Sequence, residues 1–155
     1  MTISDEMVAA MHTYLAALHT DSDADLDHSD RQFLALLKAD RIEGLGELLL
    51  AAFTVAARRR FSPTWSPAEI VRFVADVRSS SDEMAALLAP SAAENQLRLA
   101  LGASIAPYPD MEARGRAQML LLGALTRDYT PHDLAALLSD ARVLADESIA
   151  ASRRE

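Results

Sequence analysis

Trp65-Ser66-Pro67-Ala68-Glu69-Ile70-Val71-Arg72-Phe73-Val74-Ala75-Asp76-Val77-Arg78 (residues 65–78) decides the fold class. Ser66 offers a hydroxyl to cap a helix, Pro67 fits the first helical position, and Glu69 completes a capping box three residues after the serine. Trp65 and Ile70 occupy the positions of a hydrophobic staple around that cap. Ile70, Phe73, Val74 and Val77 then recur at a spacing of three and four, which places one apolar stripe on a helix ending near Arg78.

The pattern returns 64 residues later. Trp65 aligns with Tyr129, Ser66 with Thr130, Pro67 with Pro131, and Glu69 with Asp133. The stripe follows: Ile70 with Leu134, Phe73 with Leu137, Val74 with Leu138. Asp76 meets Asp140 and Arg78 meets Arg142. The same offset pairs Gln32 with Gln96, Phe33 with Leu97, and Leu37 with Leu101, whereas the leucine-rich helices between these elements align only at an offset of 72. The proposed repeat therefore covers 29–79 and 91–147, each copy being a short helix, a long apolar helix and a Ser/Thr-Pro helix. Two copies are too few for a solenoid and suit a pseudo-two-fold helical bundle.

The remaining chain reads the same way. Ser4 caps a helix to about His19, with Val8, Met11, Leu15 and Leu18 on its stripe and Ile3 as staple partner of Val8. Ser29 with Gln32 opens a short helix to about Lys38. Ile42 to Arg60 is a long helix with almost no polar face. Ser81 caps a short helix ending near Pro90, Ser91 with Glu94 opens the next, and Gly102 ends it. Asp110 caps a second apolar helix to about Thr126, which carries Gly115 and Gly123. Each interior glycine costs a helix about 1 kcal/mol, so a closely approaching backbone is expected at both. The last helix runs to about Ser148. The expectation is an all-α, compact multi-helix bundle of seven or eight helices, with residues 1–150 as one domain and 151–155 as a flexible tail.

Composition narrows the function classes. The chain has 155 residues, no cysteine, half of its residues apolar, and a net charge of −8. Disulfide scaffolds and cysteine-ligated metal centres are excluded. The acidic balance disfavours nucleic acid and anionic membranes as partners. No apolar stretch reaches the ~20 residues of a transmembrane helix. Asp5 and Glu6 stand where a signal peptide needs basic residues, so the expected location is cytoplasmic. Arginine outnumbers lysine 14 to 1, and alanine plus leucine make up about a third of the chain, which reads as the codon bias of a GC-rich bacterial genome.

Few residues suggest chemistry. Asp21, Asp23, Asp25 and Asp27 fall at positions 1, 3, 5 and 7 of a calcium loop, but Leu26 replaces its turn glycine and Gln32 its bidentate acid. A solvated, helix-capping linker is the favoured reading. His12, His19, His28 and His132 show no paired-ligand spacing, and His132 sits at a helix N-terminus, where the dipole disfavours its cation. Arg58, Arg59 and Arg60 close the first apolar helix and, with Trp65, are the interaction candidates; the plainer reading places the arginines as complements to the helix dipole. A DNA-recognition helix is disfavoured, because Arg72 and Arg78 are cancelled by Glu69 and Asp76, while Arg142 faces Asp133, Asp140, Asp146 and Glu147. No phosphate loop or nucleophile elbow is present, so no cofactor or catalysis is expected. Two helices apolar nearly all round point instead to association, a homodimer above all. The alternative is a small-molecule pocket lined by Met11, Tyr14, Met111 and Met119.

Overall fold

The computed structural model describes residues 2–18 and 44–154. Among them the chain forms seven α-helices and no strand: α1 (Asp5–Leu18), α2 (Leu45–Arg60), α3 (Pro67–Arg78), α4 (Asp82–Leu87), α5 (Pro90–Ala100), α6 (Met111–Leu125) and α7 (Pro131–Arg153). The all-helical class follows from the sequence as expected. The segment holding Asp21, Asp23, Asp25, Asp27, the short 29–38 helix, His19 and His28 lies outside the described residues. The chain divides into two units, one made of Met1–Ala52 with Thr126–Glu155, the other of Phe53–Leu125. Helix α2 contributes its first half to one and its second half to the other.

In the first unit α1 packs on α7. Three polar ties set the direction. The Ile3 N–H donates to Asp146 Oδ1 at 2.7 Å, Arg142 pairs with Asp5, and His12 Nε2 donates to the Pro131 carbonyl at 3.1 Å. As the α1 number rises its partner's falls, so the helices run antiparallel. Helix α1 is capped by Ser4, whose hydroxyl accepts from Met7 N–H. It buries Met11, Tyr14, Leu15 and Ala17, one face of a 3.6-residue period, and Ile3 before the cap is fully buried. Helix α7 buries Leu134, Leu137, Leu138, Ala141 and Ala145 at the same spacing. Its capping box is complete: the Asp133 N–H donates to Thr130 Oγ1 and the Thr130 N–H donates to Asp133 Oδ2, at 3.1 and 3.0 Å. It runs on past Ser148 to Arg153, because Ile149-Ala150-Ala151-Ser152 contains no glycine or proline to stop it.

Helix α2 begins at Leu45 because Gly44 adopts φ 112°, a conformation that L side chains resist. Gly44 acts as its cap: the Gly44 N–H donates to Glu47 Oε2 at 2.9 Å, and its carbonyl takes the Leu48 N–H. Leu45, Leu48, Leu49, Ala51 and Ala52 are buried; Leu50 is exposed.

The second unit is built on Phe53, Ala57 and Phe61 from the end of α2, with Ile70, Val74 and Val77 of α3 and Leu88 after α4. Ala92, Ala93, Leu97 and Ala100 of α5 and Ala117 and Leu121 of α6 complete the core. Helix α3 spans the stretch read from residues 67–78, with Ser66 Oγ accepting the Glu69 N–H at 3.3 Å. The reciprocal arm differs from a full box: Glu69 Oε1 accepts from the Ser66 hydroxyl. Ser81 caps α4 through Met84 N–H. Helix α5 starts at Pro90 rather than at a Ser91 cap. Its N-cap, Ala89, has no side-chain oxygen to accept a backbone N–H, so the fixed φ of proline at the first helical position opens the helix. Its end carries both Schellman bonds, Ala103 N–H to Arg98 O and Gly102 N–H to Leu99 O, with Gly102 at φ 93°.

The backbone approach expected at Gly115 is not there. A Cβ built at that position meets nothing within 4 Å, and its φ lies in the ordinary range. Gly115→Ala is therefore expected to stabilise the protein by about 0.5–1 kcal/mol, through helix propensity alone. Chemical denaturation checks this, and a lowered midpoint would mean that the site has no room.

Candidate functional site

Each residue singled out for interaction has a place in the fold. Arg58, Arg59 and Arg60 form the last turn of α2, where positive charge complements the helix dipole. Arg58 Nε donates to the Ala100 carbonyl at 3.0 Å and so caps the C-terminus of α5. The Arg60 guanidinium lies over the Phe61 and Phe73 rings, 5.1 and 5.5 Å from their centroids. Those rings meet edge to face at 5.4 Å. Such cation–π contacts contribute about 0.5–1 kcal/mol at exposed sites. Trp65 is half-buried against the second unit's core, to which Ile70, its expected staple partner, belongs. Arg58, Arg60 and Trp65 thus hold the end of α2 and the start of α3 in place.

Among the described residues no group of three or more histidine, aspartate or glutamate side chains is placed to hold a metal ion. His132 is exposed in the first turn of α7, and His12 serves the α1–α7 tie. Of the proposed pocket residues, Met11 and Tyr14 are buried in the first unit; Met111 and Met119 belong to the second, Met111 being exposed.

A polar network in the second unit has no counterpart in the sequence reading. Gln118 Nε2 on α6 donates to Gln96 Oε1 on α5 at 2.8 Å, and Gln96 Nε2 donates to Asn95 Oδ1 at 3.1 Å. Asn95 Nδ2 donates to the Ala106 carbonyl at 2.8 Å, and the Tyr108 N–H donates to Asn95 Oδ1 at 2.9 Å. Asn95 thereby brackets Pro107 and fixes the loop that leads into α6. Gln96 is buried, and its amide has both a donor and an acceptor partner. The α5–α6 pairing is therefore specified by geometry as well as by burial. Gln96→Leu is expected to cost about 1–3 kcal/mol, because Gln118 loses its acceptor. In the Gln96→Leu, Gln118→Leu double variant most of that loss should return, since both polar groups are then gone. A double-mutant cycle by urea unfolding measures the coupling, and strictly additive losses would show that the pair is not coupled. The sequence signal was available: glutamine interrupts the apolar stripes of both helices.

Two further donors stand out. Arg98 Nε and Arg114 Nε, on α5 and α6, are inaccessible to solvent and have no hydrogen-bond acceptor among the described residues. Their guanidinium groups lie partly buried on helices that pack together.

Comparison with known proteins finds no family model, no curated protein and no solved structure that matches the chain. No helix among the described residues is long and apolar enough to cross a membrane.

Proposed function

We propose that this protein acts by association, pairing with a second copy of itself, and carries no chemistry of its own. One observation supports the reading above others. The second unit leaves four large apolar side chains, Val71, Leu87, Ile105 and Met111, with between 38% and 76% of their surface in water. They sit on α3, on α4, in the loop that Asn95 fixes, and at the first position of α6. Three of these sites are helical positions, and the fourth, Ile105, lies one residue before the carbonyl that Asn95 holds. Because the backbone that carries them is already ordered, a partner that covers them need not order the chain as well.

The test is mass in solution. At micromolar concentration, sedimentation equilibrium or light scattering is expected to give about twice the 16.8 kDa chain mass, as befits a two-fold pair. Val71→Glu and Met111→Glu change exposed positions and leave the core intact. Each is expected to weaken self-association at least tenfold with an unchanged helical spectrum. A mass of one chain throughout the micromolar range, or variants that pair as well as the parent, would overturn the proposal.

A further inference from the structure

No further inference is drawn: the strongest candidate, the apolar flank of α6 around the partly exposed Met119, carries nothing beyond the association already proposed, because nothing in the structure shows what covers it.

Discussion

Phe53→Ala is expected to destabilise the protein by about 3–5 kcal/mol, the range for emptying a fully buried phenylalanine site. Phe53 is fully buried and heads the second unit's core, with Ala57 and Phe61 following on the same helix. Small residues line much of this core: Ala57, Ala92, Ala93, Ala100 and Ala117. Alanine has no further rotamer with which to fill a neighbouring void, so the site cannot collapse easily onto the space left behind. The cost should therefore fall toward the upper part of the range, because residual cavity volume adds to the lost transfer energy. Against a typical total stability of about 5–15 kcal/mol, the loss removes roughly a fifth or more. Urea unfolding followed by circular dichroism measures it, and Phe53→Leu serves as the reference that keeps most of the volume. A loss below about 1 kcal/mol for Phe53→Ala would show that the site relaxes freely, and Phe53 would not be the anchor of this unit.

The sequence revealed the parts of this structure that depend on neighbours a few residues apart. The Ser66-Pro67-Glu69 opening and the stripe of Ile70, Val74 and Val77 placed α3 at both ends, because cap, proline and box all act within one turn. The Asp110 cap is as local: its Oδ1 accepts from Glu112 and Ala113 N–H. Where two local signals compete, the reading slips. Ser91 with Glu94 matched a box, yet Pro90 opens α5. The cost of an interior glycine predicts a close approach at Gly115, yet the site is open and the cost is simply carried.

The side-chain functions were harder to read. Arg58, Arg78 and Asn95 all bond to backbone atoms, which every residue possesses, so no partner residue type betrays them. Only the fold brings Ala100 to Arg58, or Ala106 to Asn95. The candidate association surface was half legible. The excess of apolar residues was visible by composition, but the sequence placed it on the two longest apolar helices. In the structure α2 hides most of its apolar side chains, and the exposed ones in the second unit lie on α3, on α4 and around the start of α6.

Arg78→Met should cost about 1.5–3 kcal/mol, the range for losing hydrogen bonds to a charged group. The guanidinium leaves the last turn of α3 and donates from Nε to the Leu88 carbonyl at 2.9 Å and from Nη2 to the Ala85 carbonyl at 3.0 Å. These are carbonyls at the C-terminal end of α4, which lack partners within that helix. Helix α4 has six residues and buries none of them fully, with only Met84 packing half-buried against the core, so its length does not hold it. Its fully buried anchor is the next residue, Leu88. The arginine fork therefore fixes both the end of α4 and the position of Leu88. Methionine keeps the aliphatic stem and removes only the donors, so the measured loss isolates the fork. Hydrogen exchange sharpens the test: the Ala85 and Leu88 amides, bonded to Ser81 and Met84 carbonyls, should lose protection in Arg78→Met. Arg142 supplies the control, since it occupies the matching position of the second Ser/Thr-Pro helix. It pairs there with the exposed Asp5 carboxylate rather than with backbone carbonyls. An exposed ion pair is screened by water and salt, so Arg142→Met should move stability far less than Arg78→Met. Equal losses at the two positions, or unchanged exchange in α4, would show that Arg78 acts through charge alone and not as a clamp on that helix.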